Sequence, residues 1–263
     1  MRNVAEFFKA LARELEREYL RFSRQNSRAW QRVVSGSISM SLWLLAAIIA
    51  MSWYGLARVR VDRYIYWIFL TYFLYSEAVW AAADARADLK NGIAEQILAA
   101  RANITAVLLQ RLFVDSLIWS FVDSIILTAI FAAIFGGIPR PAQPLLFAAA
   151  LPPLLLFSLT AGAAAIHVMY AVETTWVVGL MLQLVVPLLG GIIPPTALPR
   201  GLSEALLYSP FQYIIAPAIY AGTGSWPLAP SLVLLPDYII SITLFIIVLK
   251  IDKYINHLYL LSK

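Results

Sequence analysis

Six apolar runs of membrane-spanning length constrain the fold of this chain more than any other feature of its sequence. They occupy residues 38–56, 64–83, 112–135, 145–170, 176–193 and 232–249. An α-helix needs roughly 20 apolar residues to cross a hydrocarbon core, where every backbone polar group must be satisfied internally. Hydrophobic residues make up 61% of the chain and charged residues 13%. The sequence therefore predicts an all-α integral membrane protein with six transmembrane helices.

The composition excludes several kinds of chemistry. The sequence contains no cysteine, which rules out disulfides and thiolate metal sites. Its two histidines, His167 and His257, are too few and too far apart for an ordinary histidine-based metal site. No Walker-type phosphate loop occurs in the sequence. We therefore expect neither a metal site nor a cofactor in this chain.

Residues 1–35 precede the first apolar run and have the pattern of an amphipathic helix. Apolar side chains recur every three or four residues from Val4 to Phe22. A basic ridge follows another face of this helix and consists of Arg13, Arg17, Arg21, Arg24 and Arg28. Like charges four residues apart repel each other, so the ridge favours contact with anionic lipid. The pattern predicts a helix on the cytoplasmic membrane surface; a solvated charged helix is the alternative, and the apolar face argues against nucleic-acid binding.

Basic residues are unevenly distributed between the two sides of the six-helix arrangement. With the N-terminus inside the cell, three-quarters of the 20 lysines and arginines fall in inner segments. Lysine and arginine concentrate on the cytoplasmic side of membrane proteins. The bias predicts a multi-pass protein of the plasma membrane with both termini in the cytoplasm.

A short polar stretch within residues 84–111 separates the second and third apolar runs on the inner side. Gly92 breaks the preceding helix, and Glu95 falls in the first turn of a short amphipathic one. Asn103 can then cap a further helix that begins at Ile104. Such a short helix between two spans is either a plain connector or a docking element.

Residues 194–230 are too polar and broken to span a membrane, yet too apolar for a free loop. Half of the chain's 14 prolines lie in this stretch. Backbone at membrane depth must satisfy its own hydrogen bonds, which short helices dipping partway into the membrane can do. We expect an outer re-entrant helical segment here.

Two motifs in these stretches resemble the type 2 family of ABC exporter permeases. The motif similar to the family's first cytoplasmic loop reads Gly92-x-x-Glu95-Gln-Ile-Leu98, followed by Asn103. The motif similar to the segment after the fifth span reads Gly191-Ile-Ile-Pro194, then Leu198-Pro199, Leu202, Leu206 and Ser209-Pro210. The surface helix, the six spans and the re-entrant segment follow the family's order, so the resemblance covers nearly the whole chain, with residues 36–263 as the permease domain. The chain departs from the family at Arg101, where members often have proline, and at Asn103, where they often have serine.

The resemblance implies a permease subunit that performs no bond chemistry itself. It implies a homodimer or heterodimer of such subunits, each coupled to a separate subunit that hydrolyses ATP with magnesium. The substrate would be amphiphilic, lipid-like, drug-like or a glycan, and it would move outward. By resemblance, the ATPase-coupling residues are Gly92, Glu95, Leu98, Arg101 and Asn103, with Glu173 as a second, smaller contact.

Acidic residues within or near the spans are candidates for a substrate pathway, because charge is costly in a membrane. The candidates are Glu77, Asp115, Trp119 and Asp123, the last three at four-residue intervals along one side of the third span. Pairing of Glu77 and Asp115 with Arg86 or Arg111 near the cytoplasmic interface is the structural alternative, and Asp123 is the best candidate for a deep polar contact. The same acids leave open an ion-coupled secondary carrier, although no internal repeat supports it. A membrane enzyme that holds a metal between Asp84 and Asp88 is a third possibility.

Overall fold

The computed structural model describes residues 61–88, 104–172, 175–190, 200–224 and 230–261, together with scattered residues between 9 and 45. All regular secondary structure in these ranges is helical. A π-helix, Met181–Val185, joins α4 to α5. The α-helices are α1 (Val61–Asp88), α2 (Ile104–Phe135), α3 (Pro144–Val172), α4 (Thr175–Leu180), α5 (Val186–Leu189), α6 (Arg200–Leu207), α7 (Gln212–Thr223) and α8 (Pro230–Leu261).

Proline and glycine set the ends of the longest helices. α3 begins at Pro144 and α8 at Pro230, where the missing N–H of proline is harmless because the first N–H groups of a helix have no partner within it. α2 ends before Gly136 and α7 before Gly224, with φ values of 72° and 73° that glycine adopts without strain.

Helix α1 packs against both α2 and α3. It runs antiparallel to α2: Tyr66 near its start hydrogen-bonds Thr128 with 3.0 Å between the hydroxyl oxygens, whereas Ala85 near its end packs in one cluster with Leu108. Helix α3 runs parallel to α1. A β-carbon on Gly162 of α3 would lie 2.6 Å from the backbone oxygen of α1, at Ala78, so only glycine allows this approach.

Helix α7 lies alongside the first half of α3 and runs in the opposite direction. Its C-terminal end meets the start of α3, where the backbone N–H of Gln143 donates to the carbonyl of Ala221 over 2.8 Å. Phe211, which precedes its N-terminal end, has its ring centroid 6.1 Å from that of Phe157. Phe157 lies roughly 20 Å along α3 from Pro144, at about 1.5 Å per residue. Helix α7 therefore reaches about halfway along α3 before the chain turns.

A hydrophobic cluster, which we name the α7 core, surrounds α7 where it contacts α1, α3 and α8. Its fully buried members include Tyr75, Leu154, Ile214, Ile215 and Ile219. Leu234, Ile240 and Leu244 of α8 pack against this cluster from one helix face. The α7 core thus fixes the positions of four helices relative to one another.

Part of the predicted architecture is confirmed. The described residues are all-helical, and two segments are long and apolar enough to span a membrane by length and composition, Val107–Phe135 and Pro144–Met169. Helix α2 begins at Ile104, as the capping pattern predicted. The complete set of six spans, the interface helix and the re-entrant segment stay predictions. Most of residues 1–60 and all of residues 191–199 and 225–229 lie outside the described ranges.

Candidate functional site

The residues predicted to contact an ATPase fall outside the part of the chain that the structure describes. These are Gly92, Glu95, Leu98, Arg101, Asn103 and Glu173. The flanking helices are described: α1 ends at Asp88 and α2 begins at Ile104. In the predicted basic ridge, Arg13 is helical and exposed, whereas Arg17, Arg21, Arg24 and Arg28 lie outside the described residues.

The predicted acidic residues on α2 are buried to different extents. Asp115 pairs with Arg111 one turn earlier, with 3.7 Å between a carboxylate oxygen and Nε, and both side chains are only 7% exposed. This confirms the pairing expected for Asp115. Trp119 and Asp123 follow at four-residue intervals on the same helix and are half-buried. The line of polar side chains therefore passes from a buried ion pair towards a more open part of α2.

The remaining sequence candidates lie on α1 and α3. Glu77 is buried on α1, and Asp84 is exposed nearer the end of that helix. His167 of α3 is half-buried beside Val248 of α8. The described residues contain no group of three or more histidine, cysteine or acidic side chains that could hold a metal ion.

Four buried polar side chains around the α7 core were not among the sequence candidates. They come from α1, α7 and α8 and are fully inaccessible: Thr71, Gln212, Asp237 and Ser241. The hydroxyl, amide and carboxyl groups of these four side chains do not meet strict hydrogen-bond geometry with any described residue, although Ser241 lies close enough to Asp237 to interact with its carboxyl group. Asp237 is the acid of this set, and it lies inside the sixth apolar run. A carboxyl group within an apolar run is a signal by which the sequence could have identified it.

Tyr75 connects three parts of the bundle at the edge of the α7 core. Its hydroxyl donates to the backbone carbonyl of Leu182 in the π-helix over 2.8 Å. Its own carbonyl accepts a hydrogen bond from the hydroxyl of Ser158 over 2.6 Å, and its ring stacks on Phe157. Tyr75 is fully buried, so both hydrogen bonds form away from water. It therefore fixes α1 against α3 and against the π-helix.

Comparison with known proteins finds no matching family model, no matching curated protein and no matching solved structure.

Proposed function

We propose that this chain is the membrane-spanning permease subunit of an ATP-driven exporter. It would work as a homodimer or heterodimer with a similar permease, and a separate subunit would bind ATP and magnesium. The exported substrate would be amphiphilic, lipid-like, drug-like or a glycan. The chain itself would catalyse no bond chemistry.

The placement of α7 is the observation that carries this proposal. α7 runs antiparallel to α3 along only half of its length, with its N-terminal end near Phe157 and its C-terminal end at the start of α3. A short helix that reaches halfway along a long apolar neighbour is the geometry expected of a re-entrant segment. It occurs between the fifth and sixth apolar runs, where the resemblance to type 2 exporters places one.

The length of α2 is consistent with a role in transmitting motion. It has 32 residues, which is about 48 Å at 1.5 Å per residue, against about 30 Å for a hydrocarbon core. With α2 crossing a membrane, one end must protrude. The segment expected to contact the ATPase directly precedes Ile104, so movement of that segment would act on α2 as a whole.

The test compares charge reversal at Glu95 with a matched reversal at Glu204. Glu204 lies on α6 and is exposed, paired with Arg200 over 3.0 Å. A carboxylate in a partner's groove can contribute about 2–5 kcal/mol when its partner would be left unpaired. We expect Glu95→Lys to reduce co-purification of a P-loop ATPase from native membranes and its vanadate-sensitive activity. Glu204→Lys should leave both unchanged, and Asp123→Asn should spare assembly but impair export.

Two results would contradict the proposal. One is the absence of any P-loop ATPase from the purified wild-type complex by mass spectrometry. The other is a Glu95→Lys variant with wild-type ATPase association and wild-type export, which would make the segment a plain connector.

An ion-coupled carrier is the second candidate function, favoured by the buried carboxyl group of Asp237. In proteoliposomes that contain the purified chain alone, such a carrier would move substrate along a sodium or proton gradient without ATP. An exporter permease would require its ATPase and ATP in the same assay.

A further inference from the structure

Two consecutive prolines inside α3 deprive one carbonyl group of its usual hydrogen-bond donors. Pro152 and Pro153 lie within the helix and have no backbone N–H. In an α-helix the carbonyl of Ala149 would accept from the N–H of residue 153, and in a 3₁₀-helix from that of residue 152. Both donors are missing here, whereas the carbonyl of Ala148 keeps the N–H of Leu151 as a 3₁₀ donor. The carbonyl of Ala149 therefore lacks both of the donors that a regular helix would give it.

Tyr238 of α8 supplies a donor to this carbonyl. Its hydroxyl group donates to the carbonyl of Ala149 over 2.9 Å, and both residues are half-buried. Further along both helices, Val248 of α8 lies beside His167 of α3, so the two helices run parallel. The hydrogen bond therefore joins α8 to α3 close to the point where the backbone pattern of α3 is interrupted.

The apolar contacts of α8 specify its neighbours better than its position along them. Ile240 and Leu244 both pack against the α7 core and lie one turn apart. A displacement of α8 by one turn would bring Leu244 to the place of Ile240 and Val248 to that of Leu244, so apolar residues would meet the core again. In a membrane, lipid tails are as apolar as these side chains, and apolar contact alone discriminates weakly between the two positions.

The hydrogen bond of Tyr238 discriminates between these positions because it joins two defined atoms. One helical turn is about 5.4 Å, so the displaced hydroxyl would lie beyond hydrogen-bond reach of Ala149. The carbonyl of Ala149 would then lose its donor in α8, while Pro152 and Pro153 still provide none in α3. Only one position of α8 along α3 therefore satisfies this carbonyl through Tyr238.

We propose that Tyr238 is a positioning residue that sets the axial register of α8 on α3. In this register Asp237 and Ser241 of α8 are fully buried. The proposal does not depend on the proposed exporter function, because it concerns contacts within the chain alone.

The test measures the distance between two spin labels by double electron–electron resonance, on the purified full-length chain in lipid nanodiscs. The chain contains no cysteine, so labelled pairs can be introduced without removing native ones. Leu145→Cys in α3 and Ile246→Cys in α8 replace exposed side chains. Relative to the contact of Tyr238 with Ala149, the two labels are offset by about 18 Å along the parallel helices, at about 1.5 Å per residue. A slip of α8 therefore changes the distance between the labels by most of its own length.

We expect one dominant distance in the wild-type background and a second distance, displaced by about 5 Å, with Tyr238→Phe. Hydrogen bonds between membrane helices shift equilibria by about 3- to 18-fold, and the population at the second distance should rise by a factor in this range. In a Pro153→Ala background the rise should be smaller, because the N–H of residue 153 again reaches the carbonyl of Ala149. The matched control is Tyr66→Phe, which removes a hydroxyl that is hydrogen-bonded to Thr128 and should leave the dominant distance unchanged.

A second label pair, Leu145→Cys with Phe121→Cys in α2, reports on the rest of the bundle and should not respond to Tyr238→Phe. Three results would overturn the proposal. An unchanged distance between α3 and α8 in Tyr238→Phe would mean that apolar packing sets the register. A change in both label pairs would mean that the hydroxyl supports the whole bundle. A rise that is just as large in the Pro153→Ala background would mean that the carbonyl of Ala149 does not select the position of α8.

Discussion

The hydrogen bond from Tyr75 to the π-helix is explained by the proline that follows that helix. In the π-helix the N–H of Val186 donates to the carbonyl of Met181, five residues earlier. The same pattern would assign the N–H of residue 187 to the carbonyl of Leu182. Residue 187 is proline and has no N–H. The carbonyl of Leu182 is therefore left without a backbone donor, and the hydroxyl of Tyr75 takes that place.

Removing the hydroxyl of Tyr75 should destabilise the protein by the cost of leaving the buried carbonyl of Leu182 without a hydrogen-bond donor. Tyr75→Phe keeps the ring that stacks on Phe157 and deletes only the donor. Leaving a buried carbonyl without a partner costs about 1–3 kcal/mol, more than the net value of an ordinary hydrogen bond. We expect a loss of about that size in the free energy of unfolding. The measurement is SDS-induced unfolding in mixed micelles, followed by the fluorescence of the chain's 8 tryptophans.

The variant Pro187→Ala tests whether the missing N–H of this proline is the reason that Leu182 needs Tyr75 as a donor. Alanine restores a backbone N–H, so the carbonyl of Leu182 can be satisfied within the helix, from residue 187 in a π-helix or from Val186 in an α-helix. Tyr75→Phe should then cost at least about 1 kcal/mol less in the Pro187→Ala background than in the wild type. The control is Tyr66→Phe, another buried tyrosine on α1 with a hydroxyl partner in α2. Its cost should be the same in both backgrounds.

Equal costs of Tyr75→Phe in the two backgrounds would refute the reasoning. That result would mean that the missing N–H of Pro187 is not the reason that the carbonyl of Leu182 accepts a hydrogen bond from Tyr75. A Tyr66→Phe cost that also falls in the Pro187→Ala background would show that the proline acts on the whole bundle instead.

Two further predictions concern helix packing and the buried ion pair. Gly162→Ala should destabilise the bundle by about 1–3 kcal/mol, because the added methyl group meets the backbone of α1 at 2.6 Å; Gly179→Ala, where no atom lies within 4 Å of the new methyl, should show no such loss in the same unfolding assay. Arg111→Met alone should cost about 3–5 kcal/mol, because it removes the cation that lies 3.7 Å from the buried carboxylate of Asp115, whereas adding Asp115→Leu should recover most of that loss. If the double variant is no more stable than Arg111→Met, the loss does not come from burying the Asp115 carboxylate without its cation.

Local rules in the sequence were sufficient to predict where helices lie. The long apolar runs predict α1, α2, α3 and α8 because hydrophobicity over about 20 residues is a local property. The cap at Asn103 predicts the start of α2 at Ile104, and spacing of one turn predicts that Asp115 can reach Arg111. Each of these predictions needs only neighbouring residues.

The candidate site around the α7 core could not be predicted in the same way. Thr71, Gln212 and Ser241 are ordinary polar residues in helical sequence, and only the packing of α7 between α1, α3 and α8 makes them inaccessible. Pro187 indicates an irregular helix, but which side chain satisfies the freed carbonyl depends on α1, more than one hundred positions away in the chain. Tertiary packing therefore decides what these residues do.

The irregular features of the bundle coincide at one level of α3. Helix α7 begins near Phe157, and Tyr75 meets both Ser158 and the π-helix there. The four buried polar side chains lie on the helices α1, α7 and α8 that surround the α7 core. Unsatisfied buried groups raise the free energy of this packing by about 1–3 kcal/mol each. An arrangement that gives them ions, water or substrate as partners is correspondingly favoured. The same level of α3 also contains the hydrogen bonds of Tyr75 and the buried side chains of the α7 core, so polar partners for these groups would stabilise a contact between helices that is already closely packed.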